Sequence, residues 1–96
     1  MKIELKKFGD LLLSRQNGRE DFVAFQSQLT LLGENENLEL DFEGVITFSP
    51  SWGDEFLSPL RDQLGDRLIL LPSDNLSVHA TLRILQEANK RSFKMK

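Results

Sequence analysis

The sequence predicts a small α/β domain, with three to four strands in a mostly parallel sheet and helices mainly on one face. Three observations carry this. Strand-like and helix-like patterns alternate in the order strand, helix, strand, helix, strand, helix. Two of the strand patterns have a polar outer face, so helices need to cover only the other face. The 96 residues suffice for one modest hydrophobic core, and residues 1–96 read as a single domain.

The first strand is "KIELK", in which Ile3 and Leu5 alternate with Lys2, Glu4 and Lys6. Phe8-Gly9 turns the chain, and "DLLLSR" reads as a short helical piece. Asn17 and Glu20 have capping-box spacing. Phe22, Phe25, Leu29 and Leu32 then recur at steps of three and four, which predicts an amphipathic helix over residues 18–32 ended by Gly33.

"LELDF" is the second strand, with Leu38, Leu40 and Phe42 inward and Glu39 and Asp41 outward. Glu43-Gly44 makes a kink or turn, and "VITF" continues extended. A second helix begins near Ser49–Ser51, with Trp52, Phe56, Leu60 and Leu64 on its inner stripe. Pro59 removes a helical hydrogen bond and clashes with the preceding turn, so a break is expected there, with Ser58 as a new cap. "RLILL" is apolar on both faces, as a central strand would be, and Pro72 closes it. The last helix runs from about Asn75 to Lys90, with Val78, Leu82, Leu85 and Ala88 inward. Lys90, Arg91, Lys94 and Lys96 then form a basic tail, expected to fray over residues 90–96.

Charge is unevenly spread. Residues 20–60 hold nine carboxylates and no lysine or arginine, while all 12 basic residues lie outside that window. Such a middle repels nucleic acid, which needs positive charge at its phosphates, and suits a basic protein partner. No apolar run exceeds four residues, so no membrane-spanning segment is expected. The start lacks the apolar core of a signal peptide, and the cytoplasm is the expected location. With no cysteine, disulfides, thiolate metal sites and cysteine nucleophiles are excluded. The one histidine, His79, has no cysteine or second histidine with which to share a metal. No phosphate-binding glycine loop and no nucleophile–base–orienter set can be assembled, so neither an enzyme nor a cofactor is expected.

The stretch "LELDFEGVITFSPSWGDEFLSPL", residues 38–60, resembles the central motif of STAS domains, the fold of anti-sigma factor antagonists and sulphate-transporter tails. It is most similar to a divergent, uncharacterised bacterial STAS-like branch. There a D-F-x-G-V run leads to a serine, an aromatic residue and an acidic pair. Asp41, Phe42, Gly44 and Val45 match the run; Ser51, Trp52, Asp54 and Glu55 match the start of the helix. Gly9, Arg15 and Gly18 look similar to that branch's N-terminal segment. The resemblance implies a non-enzymatic regulatory module that binds a protein partner, a GHKL-type ATPase kinase or an anti-sigma-like protein. Position for position it makes Ser51 the phosphoacceptor. Ser49, Pro50 and Trp52 stand where the antagonists carry aspartate, serine and glycine.

Two readings of this corner stay open in the sequence. Ser51 and Asp54 have capping-box spacing, but Ser49 followed by Pro50 is an equally good cap. If Ser49 caps, the Ser51 hydroxyl is spare. Trp52 either plugs the core or, facing outward, anchors an interface. In the functional reading, Phe48, Ser49, Pro50, Trp52, Asp54 and Glu55 form the partner surface. A phosphate on Ser51 then repels the partner, because no arginine is close in sequence to receive it. The alternative is a structural or assembly protein that self-associates through the uncovered sheet face, with Leu68 and Leu70 as contacts.

Overall fold

A computed structural model describes all of residues 1–96. Four parallel strands, β1 (Lys2–Glu4), β3 (Leu38–Asp41), β5 (Leu68–Leu70) and β6 (Lys94–Met95), form one sheet in the order β1-β3-β5-β6. A second, two-stranded parallel ladder joins β2 (Leu11–Leu12) to β4 (Thr47–Phe48). Three helices connect them: α1 (Arg15–Leu29), α2 (Pro50–Leu64) and α3 (Leu76–Asn89). Each strand of the main sheet is followed by its neighbour in space, always in the same direction. Crossovers of one hand then place every helix on one face.

The register assigns the two faces. Ile3 lies beside Leu40, Leu38 beside Leu68, and Leu40 beside Leu70. These five side chains are buried beneath the helices. On the other face Lys2 lies beside Glu39, and Glu39 beside Ile69. That face carries the ion pairs Lys2–Asp41 at 3.5 Å and Lys96–Glu39 at 2.8 Å. Leu68 and Leu70 are therefore core residues, and the expectation that they form self-association contacts is corrected. A face of paired charges around Ile69 offers little apolar surface to a second copy.

Several local expectations are also revised. Residues 10–14 are not helical: Leu11–Leu12 pairs with β4, and Ser14 opens α1, its hydroxyl accepting a bond from the Asn17 N–H at 3.0 Å. Asn17 is thus inside the helix rather than its cap, and α1 runs three residues earlier than its capping-box signal implied. Its apolar face is as expected: Phe25 is buried, with Phe22, Leu29 and Leu32 packed against the core. Pro59 does not break α2, and Ser58 is no cap; its hydroxyl donates to Asp54 within the same helix at 3.2 Å. Phe56, Leu57 and Leu60, all fully buried, hold both sides of the proline in place.

The basic tail does not fray. Arg91 pairs with Asp62 at 2.8 Å, Lys96 donates to the Leu70 carbonyl at 3.0 Å, and Phe93 is buried. Arg61 on α2 holds this segment from beneath. Its guanidinium lies 4.5 Å from the Phe93 ring centroid and donates to the Arg91 carbonyl at 3.2 Å. Arg61 is only 3% exposed and its Nε has no partner; burial lowers its pKa.

Candidate functional site

The corner between β4 and α2 is built by three segments that meet at one end of the sheet. Asp41 ends β3, and its Oδ1 accepts the Glu43 N–H at 3.0 Å, which fixes the turn. The Val45 N–H closes that turn onto the Phe42 carbonyl at 3.0 Å. Gly44 has φ +85, and a Cβ there would lie 2.8 Å from the Lys6 side chain. The positive φ favours glycine there; the exposed Lys6 side chain could shift to admit a Cβ. Phe42 and Val45 face the core. The matched D-F-x-G-V residues thus set the path of the chain and touch no cavity.

β4 is wedged between β2 and the start of α3. Asn75 caps α3, accepting from the Ser77 and Val78 N–H groups at 2.8 and 3.2 Å. Its amide donates to the Val45 and Ile46 carbonyls, both at 2.9 Å. Ser77 Oγ accepts the Phe48 N–H at 3.1 Å, and Thr81 Oγ1 donates to the Phe48 carbonyl at 2.5 Å. Phe48 is consequently locked and buried.

The choice of cap for α2 is settled. Ser49 is the N-cap: its Oγ accepts the Trp52 N–H at 3.2 Å and donates to the Leu13 carbonyl at 2.5 Å, and Pro50 follows in the first turn. Ser51 is partly exposed and its hydroxyl makes no hydrogen bond within the chain. Ser49→Ala should therefore cost about 1–2 kcal/mol, as loss of a helix cap does. Ser51→Ala should stay within about 0.5 kcal/mol, as surface changes usually do. Thermal melts of the two variants check this directly.

Trp52 is fully buried and is not a surface anchor. Its ring stacks on Phe56 at 4.6 Å and contacts Phe48 and Phe8 at 5.9 and 6.2 Å. Its Nε1 donates to Asp21 on α1 at 3.2 Å. Phe48 and Trp52 both leave the list of partner-surface residues, because the aromatic core takes them. Burial raises the Asp21 pKa from its ordinary value, against the smaller lowering effect of the Trp52 hydrogen bond. Trp52 fluorescence should accordingly titrate with a midpoint above the ordinary value for aspartate. Asp21→Asn should abolish that titration.

What remains of the predicted surface is Ser49, Pro50, Asp54 and Glu55, together with Ser51. Ser51, Pro50 and Asp54 line a cavity of about 290 Å³ whose other walls are Arg15 from α1 and Ile84, Leu85, Ala88 and Asn89 from α3. Arg15 Nη1 bonds Asp54 at 3.0 Å and Glu55 at 3.1 Å, and Arg19 adds a bond to Glu55 at 3.2 Å. Hydrogen bonds from Arg15, then Arg19, lower the Glu55 pKa. No arginine is close to Ser51 in sequence, but tertiary packing brings Arg15 to the same cavity, so the expectation that a phosphate there would find no arginine is corrected. Arg15 and Arg19, four residues apart on one helix face, meet acids about 40 positions away. No signal in the sequence points to that pairing, although Arg15 was among the residues matched to the STAS-like branch. Comparison with protein-family models, curated proteins and solved structures finds no match to this chain.

Proposed function

We propose that the chain is a non-enzymatic regulatory module that works by binding another protein, with Ser51 as its control point. The observation that carries this reading is the division of labour between the two serines. Ser49 caps the helix, which leaves the Ser51 hydroxyl unbonded at a cavity beside Arg15. The resemblance of residues 38–60 to STAS domains supports the same residue. A GHKL-type ATPase kinase or an anti-sigma-like protein is the partner that resemblance implies, in a cytoplasmic setting.

The physical effect of a phosphate here differs from simple repulsion. A phosphoserine carries about −1.5 to −2 charges at neutral pH. At Ser51 it would stand beside Asp54 and compete with that carboxylate for Arg15. Arginine takes phosphate through paired N–H donors, so the guanidinium is drawn off the acidic pair. Asp54 and Glu55 then lose a counter-charge while the corner gains the negative charge of the phosphate. A partner seated on the unphosphorylated corner is released.

The test is affinity capture from the native cells with tagged Ser51→Ala and Ser51→Asp chains side by side, the captured proteins being identified and quantified by mass spectrometry. A regulator held by the alanine form and lost from the aspartate form is expected. Equal retention by both forms defeats the switch.

A further inference from the structure

We infer that the β2–β4 end of the molecule docks a basic, amphipathic segment of a partner protein. Four aliphatic side chains, Leu11, Leu13, Ile46 and Leu76, stand between 47 and 81% exposed there. They belong to three segments that the backbone holds side by side. Leu11 lies next to Thr47 in the ladder, and the Ile46 N–H donates to the Asp10 carbonyl at 2.7 Å. The Ile46 carbonyl in turn accepts from Asn75, the residue before Leu76. Leu12 and Phe48 take the inward face of this ladder, so Leu11 and Leu13 are directed away from the core by the two-residue alternation of strands. Exposed aliphatic residues gathered on adjoining segments mark an interaction surface more often than single exposed leucines do.

Its border identifies the partner's chemistry. Asp10, Glu43 and Asp74 lie on the same three segments, all exposed. None of them makes an ion pair, although eight other ion pairs occur in the chain. Among the cations flanking these segments, Lys6 pairs with Glu4 at 3.6 Å, Lys7 donates to the Gln28 amide oxygen at 3.0 Å, and Arg15 pairs with Asp54 and Glu55. The rim is therefore uncompensated negative charge around an apolar centre. A two-fold contact with a second copy would set these carboxylates against their own counterparts, which costs binding. A segment carrying lysine or arginine beside leucine or valine satisfies both parts of the surface.

The inference rests on the reading of the chain as a protein binder and is independent of Ser51. The experiment is methyl and amide NMR of the full chain, titrated with a synthetic amphipathic peptide of lysines and leucines at helical spacing. A counterpart with glutamate for lysine serves as control. Shifts are expected at Leu11, Leu13, Ile46 and Leu76 with the basic peptide only, weakening at least several-fold at high salt. Leu13→Ser combined with Ile46→Ser should reduce the affinity at least tenfold while the thermal melt stays close to wild type. Shifts confined to another surface, equal binding of the acidic peptide, or patch signals that move with protein concentration alone would each overturn the inference. Ser51→Asp, titrated in parallel, separates the two readings: unchanged peptide binding at the patch leaves this surface standing whatever becomes of the serine switch.

Discussion

Trp52→Ala is expected to cost about 3–5 kcal/mol, the range for removing a fully buried aromatic side chain. A domain of this size holds only about 5–14 kcal/mol in total. The variant should thus lose about a fifth or more of its stability and melt more than about 10 °C lower, since each kcal/mol shifts the midpoint by about 4–8 °C. The reason lies in what the indole touches. It stacks on Phe56, meets Phe8 and Phe48, and gives its N–H to Asp21, so one side chain ties α1, α2 and β4 together. Urea denaturation measures the effect. A loss under about 1 kcal/mol would mean that the ring is not packed as described. Any binding defect in this variant reports on the fold, which is why Trp52 is unsuited to testing the partner surface.

The second large effect is expected at Gly18. A Cβ at that position would fall 2.7 Å from the Trp52 carbonyl oxygen and 3.0 Å from its Cα. Both are backbone atoms, so no rotamer change relieves the clash, and α1 must move off α2. Gly18→Ala sets that strain against the roughly 1 kcal/mol that alanine gains over glycine in a helix. Gly18→Val removes the ambiguity: the added methyls bring overpacking of typically 1–3 kcal/mol, and valine recovers little helix propensity. Because Arg15 sits one turn before Gly18 on the same helix, a displaced α1 also pulls Arg15 away from Asp54 and Glu55. Calorimetry should show the lowered melting temperature. NMR of the Arg15 side chain should show the lost pairing. A Gly18→Val chain as stable as wild type would contradict the close approach of the two helices.

How far the fold could be read in advance depended on the length of each pattern. The strand at Leu38–Asp41 and the helix at Leu76–Asn89 alternate or recur over enough residues to declare their period, and both lie where expected. The alternation of elements likewise led to a parallel sheet covered on one side, as observed. "VITF" reads as extended and contains β4, but β2 and its pairing with β4 are not legible, because two residues are too few to show a two-residue period. "DLLLSR" therefore passed for a helix. The start of α1 was misplaced because Ser14 and Asn17 are both capping residues; the choice between them falls to Ser14, whose hydroxyl reaches the Asn17 N–H.

The candidate site divides in the same way. That a serine would cap α2 was local information, and the pairing of Ser49 with Pro50 at the first helical position was visible. Which serine did so depended on the Leu13 carbonyl, 36 residues away, which takes the Ser49 proton. Trp52 could be core or surface by its spacing alone, and only the aromatic residues arriving from β4 and from Phe8 decide for core. The meeting of Arg15 with Asp54 and Glu55 is wholly tertiary. The acidic middle of the chain, read as an exposed negative surface, is in large part neutralised by such pairings. Glu36, Glu39, Asp41, Asp54 and Glu55 all have cationic partners. Of the acids in that stretch, Glu20, Asp21, Glu34 and Glu43 make no ion pair, and Glu43 is the one that borders the surface around Leu11 and Ile46.

The central claim is that Ser51, freed by the cap at Ser49, is where the protein is controlled. The most direct measurement is phosphosite mapping by mass spectrometry on the intact chain recovered from its native cells under several growth conditions. Phosphate on Ser51, with none on Ser49, is the predicted result. Phosphate on Ser49, or an unmodified Ser51 under every condition, would contradict the account.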